Sequence, residues 1–144
     1  MDYAILSAEL ANDPLTRGYA AMTDNEVWVS MTTADRPARA LVPIWKIKKH
    51  AIESGYWLAL KNCAVEHPGY VAAALAVDYI SDSRFENIDL DLTITITMLG
   101  GLVATSLITQ TQADEIDALA DTLQSRADEL GLVGLSNGYI KEAR

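Results

Sequence analysis

Cys63 and His67 are the two residues of this chain whose types and spacing come nearest to those of a nucleophilic enzyme. A cysteine thiolate is a strong nucleophile when a neighbouring base accepts its proton. Such a site also needs an acid that orients the histidine and donors that stabilise an oxyanion. Neither accompanies the pair, and Asn62 and Ala64 flank the thiol in an apolar segment. The pattern therefore predicts a small buried thiol, and we expect no catalytic residue.

The other residues that could bind a metal ion are too widely scattered for a known ligand motif. His50 and His67 stand in neither a Cys/His pair nor an H-E-x-x-H pattern, so we expect surface positions for both. Glu86, Asp89 and Asp91 have oxygen atoms that suit a hard cation, but a calcium loop requires more ligands at fixed positions. We expect these acids to cap a helix that starts near Asp91, and we expect no metal site.

A pair of glycines, Gly100 and Gly101, is the only feature that suggests a phosphate-binding loop. Such loops place a lysine and further glycines at fixed spacing, and these are missing here. The pair therefore predicts a close packing contact between helices, and we expect no cofactor.

Charge is distributed unevenly along the chain, which has a formal net charge of −9. This charge disfavours nucleic acid and anionic membranes as partners. No acid occurs between Asp35 and Glu53, whereas this interval holds five of the eleven basic residues: Arg36, Arg39, Lys46, Lys48 and Lys49. A later segment concentrates acids, at Asp114, Glu115, Asp117, Asp121, Asp128 and Glu129. The two segments are either solvated faces or opposed docking surfaces that join the chain to a partner or to further copies.

Three tryptophans combine a large apolar area with one hydrogen-bond donor. We expect Trp28 and Trp57 in the core. Trp45 stands among lysines, so it is either buried or a partly exposed centre of a protein-binding surface. The candidate partner-binding residues are Arg36, Arg39, Trp45, Lys46, Lys48, Lys49, Asp114, Asp117 and Asp121.

The composition indicates a protein that is made and kept in a cytoplasm. Cys63 is the one cysteine, and the first residues lack the basic and apolar regions of a secretory signal. The longest apolar stretch, residues 98–108, is interrupted by polar residues and glycines and is shorter than the roughly 20 residues that cross a bilayer. We therefore expect no membrane-spanning segment.

The elements that position these residues are predicted to be mainly helices. With 144 residues, half of them hydrophobic and few aromatic, the chain suits a mainly α, single compact domain over residues 1–144. We expect about six to seven short helices with short β segments. Asp2 and the Thr23/Glu26 capping box should start the first two helices, Asn12-Asp13-Pro14 should end the first, and residues 32–38 should form a loop.

Two later segments require a choice between patterns. Residues 90–97 alternate like a strand, but the continuation reads as a helix, and we predict a helix over residues 91–104. Residues 109–130 have the clearest helical periodicity, opened by a Thr109/Gln112 capping box and closed by Gly131. We also expect a helix end at Pro68, a new helix from about Gly69, an extended segment at 133–135 and a last helix capped by Ser136.

Read in order, several short motifs resemble those of a family of small uncharacterised proteins encoded by tailed bacteriophages and prophages. The resemblance covers nearly the whole chain. The matching motifs are Asn12-Asp13-Pro14-Leu15, Gly18-Tyr19, Met22-Thr23-Asp24, Asp35-Arg36-Pro37, Asn87-Ile88-Asp89-Leu90, Met98-Leu99 and residues 115–132 with Ser125-Arg126-Ala127-Asp128-Glu129-Leu130-Gly131-Leu132.

The resemblance implies a function in the virion, because phage genes of this size often encode virion parts. We therefore expect a non-enzymatic structural protein, made in the host cytoplasm and associated with the tail or tail fibre. It would bind other phage structural proteins, or copies of itself in a homo-oligomer. The alternative is a non-virion accessory protein of infection, such as an assembly chaperone or an inhibitor of a host defence factor, whose acidic surface would suit a basic host partner.

Overall fold

A computed structural model describes residues 1–67 and 70–144. The helices in these ranges are α1 (Tyr3–Asn12), α2 (Asp24–Thr32), α3 (Ile44–Glu53), α4 (Trp57–Glu66), α5 (Val71–Ser81), α6 (Thr93–Ala104), α7 (Gln110–Asp117), α8 (Arg126–Glu129) and α9 (Asn137–Ala143). Short 3₁₀ turns occupy Tyr19–Ala21 and Ala118–Ala120. The predicted helix end at Pro68 and start at Gly69 lie outside the described residues.

The strands are short and form two separate pairs. They are β1 (Ala34–Arg39), β2 (Val42–Pro43), β3 (Asn87–Ile88) and β4 (Asp121–Ser125). β1 pairs with β4, and β2 pairs antiparallel with β3, with Val42 opposite Ile88. The mainly α fold with short β segments is therefore confirmed, with more helices in the described part of the chain than the six to seven expected.

The chain contains two compact units. We call residues 1–38 and 122–144 the terminal unit and residues 39–121 the central unit. The buried residues of the terminal unit include Leu6, Tyr19, Met31 and Ile140, and those of the central unit are given below. The assignment of residues 1–144 to one domain stays a prediction.

Local start and stop signals define the helices of the terminal unit as predicted. The Asp2 carboxylate accepts hydrogen bonds from the backbone N–H groups of Ala4 and Ile5 at 3.1 and 3.2 Å. α1 ends where Asp13 takes the left-handed conformation, with φ of 40°. Thr23 and Glu26 form both hydrogen bonds of a capping box, which starts α2. These predictions are confirmed because each depends on neighbours in the sequence.

The predicted loop over residues 32–38 is wrong, because residues 34–39 form β1. The predicted continuous helix over 109–130 is also wrong, because α7 ends at Asp117 and residues 121–125 form β4. Both errors have one cause: β1 and β4 pair with each other across about eighty residues of sequence, and such pairing supplies backbone hydrogen bonds that no local pattern reports. Leu123, an apolar residue within the predicted helix, is exposed on β4.

A new capping box starts α8 after the strand. Ser125 accepts from the backbone of Asp128, and the Asp128 carboxylate accepts from Ser125. Gly131, with φ of 69°, ends this helix, as predicted. Residues 133–135 are not extended as predicted, since Val133 and Gly134 form a turn and Gly134 has φ of 74°. Ser136 precedes α9 as predicted, but its side chain makes no capping hydrogen bond.

The helix predicted over residues 91–104 is confirmed, since α6 begins two residues later than predicted, at Thr93, and ends at Ala104. Thr95, one of the alternating threonines, is buried in this helix. Its hydroxyl group has a partner there, because it donates to the carbonyl oxygen of Asp89 at 2.9 Å. The expected capping of this helix by acids is wrong: Leu92 occupies the N-cap position, without a side-chain hydrogen bond. Asp91 instead accepts hydrogen bonds from Arg39.

The core of the central unit lies among α3 to α7 and the β2–β3 pair. It includes Ile47, Leu60, Met98 and Ile116, and Cys63 is buried in it, as predicted. Gly101 lies against α5, because a Cβ atom at this position would be 2.8 Å from that of Ala72. The predicted packing contact is therefore confirmed at Gly101. In the described ranges, no helix is long and apolar enough to span a membrane.

Candidate protein-interaction surface

Arg39 in the central unit gathers several of the residues that were predicted to bind a partner. Its guanidinium lies 2.6 Å from Asp117, 2.8 Å from Asp121 and 2.9 Å from Asp91. The hydrogen bonds that Arg39 donates to these carboxylates, above all to Asp117, raise the pKa of Arg39 above its usual value. Arg39, Asp117 and Asp121 are thus brought together, but one guanidinium offsets only one of the three carboxylate charges, so the cluster stays negatively charged.

The remaining charged candidates are distributed between the two units. In the terminal unit, Arg36 Nε lies 2.6 Å from a carboxylate oxygen of Glu129. Hydrogen bonds from Arg126 and Arg36 lower the pKa of Glu129. Asp114 belongs to the central unit and accepts from the Gln110 side chain at 2.8 Å. The acidic segment that the sequence suggested as one helical face is therefore divided between units, and much of its charge is paired.

A Tyr–His–Glu network joins α3 to α7 in the central unit. His50 Nδ1 lies 2.8 Å from the Tyr56 hydroxyl, and Nε2 lies 3.1 Å from Glu115. Because a carboxylate only accepts, a neutral His50 donates from Nε2 to Glu115 and accepts from Tyr56. Burial raises the pKa of Tyr56 to about 12. His50 is half-buried and not at the surface as expected. The sequence did not predict this network, because its three residues come from separate segments.

Catalysis by this network would require space for a substrate beside the Tyr56 ring. The cavity there is lined by apolar side chains such as Leu60, Met98 and Leu102 and has a volume of about 30 Å³, the share of one water molecule in the liquid. The network therefore holds α3 and α7 together, and we assign it no substrate.

Trp45 is more exposed to solvent than the other two tryptophans. Its side chain is 61% exposed, whereas Trp28 and Trp57 are half-buried against the cores of their own units. The Trp28 indole also donates to the carbonyl oxygen of Leu135 at 3.0 Å. Trp28 and Trp57 thus pack against their cores without being fully buried in them as expected, and of the two alternatives for Trp45 the exposed one is correct.

The exposure of Trp45 follows from the helical phase of α3. Ile44, Ile47 and Ala51 point into the core, so the opposite side of the helix faces solvent. Ile52 follows Trp45 by seven residues, which places it on the same side, and it is 56% exposed. Lys48 and Lys49 lie on this side of the helix between them. We call these four residues the α3 face: Trp45, Lys48, Lys49 and Ile52.

The lysines give this apolar surface a positive border. The Lys46 ammonium lies 6.0 Å from the centre of the Trp45 ring, and that of Lys48 lies 5.7 Å from the Trp57 ring. Lys49 is 3.7 Å from Glu53 in a pair whose side chains are both more than half exposed. Exposed pairs of this kind contribute little to stability, so the Lys49 charge remains accessible to a partner.

An open cleft adjoins the α3 face on the side of α5. Phe85, 45% exposed, lines it together with Trp45, Lys48 and Ile80. The Phe85 ring lies 5.2 Å from that of Tyr79 at the end of α5. Two exposed aromatic rings that line one cleft are typical of the centre of a protein-binding surface.

A second exposed groove lies between α6 and α7, elsewhere on the central unit. Ile96, Leu99, Gly100 and Val103 from α6 form its apolar floor, and Asp114 and Asp117 from α7 border it. A Cβ atom at Gly100 would meet no heavy atom within 4 Å, so the floor is open. We call these six residues the α6–α7 groove. Its two acids are among the residues that the sequence predicted to bind a partner, whereas the residues of its apolar floor are not.

In residues 1–67 and 70–144, no group of three or more His, Cys, Asp or Glu side chains is arranged to hold a metal ion. The geometry thus offers the α3 face and the α6–α7 groove as its candidate functional surfaces. Comparison with known proteins adds no relative to this description: no protein-family model, no curated protein and no solved structure matches the chain.

Proposed function

We propose that this chain is a non-enzymatic structural protein of a tailed-phage virion, associated with the tail or its fibres, that acts through protein–protein contacts. The observation that supports it most directly is the exposed Trp45 at the centre of the α3 face. An exposed tryptophan lacks the stabilisation that burial of its large apolar side chain would give. Tryptophan is also enriched among the residues that dominate binding at protein interfaces.

The charge of the α3 face indicates what kind of protein it binds. α3 carries three lysines and one acid, Glu53, so its exposed side favours an acidic partner, while Asp82 and Glu86 line the adjoining cleft. Arg36 and Arg39 are engaged by carboxylates of their own units. The binding surface that we propose is therefore narrower than the whole basic segment and is centred on Trp45, Lys48 and Lys49.

The phage part of the proposal rests on the resemblance of the ordered motifs to the phage family. Structural proteins of virions work by repeated contacts between rigid modules, and they need no catalytic site. A surface with an exposed aromatic centre and a polar border fits that mode of action.

Mass spectrometry of purified, salt-washed phage particles tests the proposal. We expect peptides of this chain in a fixed ratio to the major tail protein, in a small multiple set by the symmetry of a ring or fibre. Absence from intact particles would contradict the proposal and would favour the accessory protein of infection. A host pull-down would then identify its partner.

The matched variants Lys49→Glu and Lys61→Glu test the surface itself. Both replace an exposed lysine of the central unit and change the net charge equally. We expect Lys49→Glu, combined with Trp45→Ala, to reduce incorporation into particles at least tenfold, while Lys61→Glu leaves it unchanged. Equal incorporation of all variants would exclude the α3 face as the binding surface.

A further inference from the structure

The α6–α7 groove has the properties of a site that receives a helix. α6 contains no charged residue, although much of it is exposed. Thr95, Met98 and Leu102 form its buried side, and Ile96, Gly100 and Val103 share the opposite side. The missing side chain at Gly100 lowers the floor in the middle of this side, and 58% of Ile96 is exposed beside it. An exposed apolar surface with a polar border marks an interaction site.

The α3 face has the properties of a helix that enters such a groove. Recognition of a helix in a groove uses apolar residues that repeat at helical spacing as anchors, and Trp45 and Ile52 have that spacing. Lys48 and Lys49 flank the anchors with positive charge. The groove presents the opposite charge, because Asp114 and Asp117 border it on α7. Asp117 also pairs with Arg39, but this one guanidinium faces three carboxylates, so the border stays negative.

We infer that the α3 face of one copy of this chain docks in the α6–α7 groove of a second copy. The inference rests on the proposed function, of which it names one partner. In the docked pair, the Trp45 indole covers Gly100 between Ile96 and Val103. Lys49 leaves its loose contact with Glu53 and approaches Asp114, whose carboxylate otherwise accepts from Gln110.

The two surfaces cannot satisfy each other within one central unit. Each lies on the outer side of a helix whose inner side packs into the same core, Ile47 from α3 and Met98 from α6 among its residues. Each copy therefore carries one free face and one free groove. Contact between two different surfaces of identical chains is heterologous, and it repeats until it closes a ring or extends as a filament.

A second copy is favoured over an unrelated acidic partner because both halves of the contact are present on one chain. The apolar anchors match the open floor, and the lysines of the α3 face match the negative border of the groove in sign. A partner that used only the α3 face would leave the exposed apolar side of α6 without a role.

Two variants of the full chain separate the two surfaces. The face variant carries Trp45→Ala and Lys49→Glu, and its groove is intact. The groove variant carries Gly100→Leu, whose side chain occupies the floor, and its α3 face is intact. Gly100 is exposed on a helix and its Cβ position is free of contacts, so this substitution is compatible with folding. Circular dichroism and thermal unfolding verify that both variants fold.

Sedimentation equilibrium over a concentration series measures the molar mass of the wild type, of each variant and of their mixture. We expect the wild-type mass to rise with concentration beyond twice the 15.7 kDa of one chain, and each variant alone to stay at one chain. An equimolar mixture of the two variants retains one usable face and one usable groove, so it should form a dimer and nothing larger. Added salt should weaken the association.

Three outcomes overturn the inference: a wild-type chain that stays monomeric, variants that still associate alone, or a mixture that stays monomeric. Lys61→Glu serves as the charge control and should associate as the wild type does. Failure here is distinct from failure of the proposed function. A chain found in fixed ratio in particles but monomeric in solution would keep the virion proposal and exclude self-docking, whereas a self-associating chain absent from particles would do the reverse.

Discussion

The guanidinium of Arg39 lies 2.6 Å from the carboxylate of Asp117, 78 positions later in the chain. The same guanidinium reaches Asp121, so one side chain connects the first residue of the central unit to its last. Arg39 and the two aspartates, which the charge pattern assigned to two separate docking surfaces, therefore form ion pairs with each other. The contact holds the two ends of this unit together.

Replacing Arg39 should destabilise the central unit through repulsion among the acids that it holds. We expect Arg39→Met to lower the free energy of unfolding at low salt, because Asp91, Asp117 and Asp121 lose their shared partner. Urea unfolding measures the change. High salt should recover part of it by screening the carboxylates. The control is Arg84→Met, since the Arg84 side chain is 84% exposed and pairs with Asp82 alone, so its loss should change stability less than the loss of Arg39 does.

The adjacent glycines of α6 should respond in opposite directions to the same substitution. Gly100→Ala should raise the free energy of unfolding by about 0.5–1 kcal/mol, because alanine favours a helix and its Cβ meets open space. Gly101→Ala should lower it by about 1–3 kcal/mol, because the new Cβ would be 2.8 Å from that of Ala72.

Urea unfolding of both glycine variants, with Ala72→Gly added to Gly101→Ala, measures the difference. The added substitution should recover part of the loss by removing the close contact. Equal effects of alanine at the two glycines would contradict the α5–α6 packing described above.

The buried ion pair of the terminal unit should be one of its costliest interactions to break. Arg126 donates two hydrogen bonds to Glu9, at 2.6 and 2.8 Å, and the Glu9 side chain is only 3% exposed. Glu9→Ala leaves the half-buried guanidinium with Glu129 alone, and we expect a loss of about 3 kcal/mol in the free energy of unfolding. Glu53→Ala breaks an exposed pair at 3.7 Å and should cost less than about 0.5 kcal/mol in the same assay.

Stability should fall at alkaline pH because of Tyr56. Burial raises its pKa from 10.0 to about 12, so the folded chain holds this proton where the unfolded chain releases it. Proton release by the unfolded state favours unfolding, and this contribution to stability is complete below pH 10 and decreases as pH rises to about 12. Urea unfolding across this range should give a shallower decrease for Tyr56→Phe than for the wild type.

The same variant should also be less stable near neutral pH. Tyr56→Phe removes the hydrogen bond to His50, which we expect to cost about 1 kcal/mol. Tyr70→Phe, which removes an exposed hydroxyl, is the control and should keep the wild-type pH dependence. If Tyr56→Phe also kept it, the buried position of the Tyr56 hydroxyl would be incorrect.

The sequence by itself determined the features that depend on near neighbours. The Thr23/Glu26 and Thr109/Gln112 capping boxes start helices where they were predicted, and Asp13 ends α1. These contacts join residues within one helical turn, so residue type and spacing suffice to predict them. Composition likewise sufficed for the mainly α class and for the burial of Cys63.

Only the tertiary structure decided which distant residues meet. The β1–β4 pairing converts a predicted loop and part of a predicted helix into strands, and Arg39 gathers acids from three later segments. Whether Trp45 is buried or exposed depended on the phase at which α3 packs against the core. Each of these outcomes is set by contacts between residues far apart in the chain, whose free energies do not appear in any local pattern of residue types.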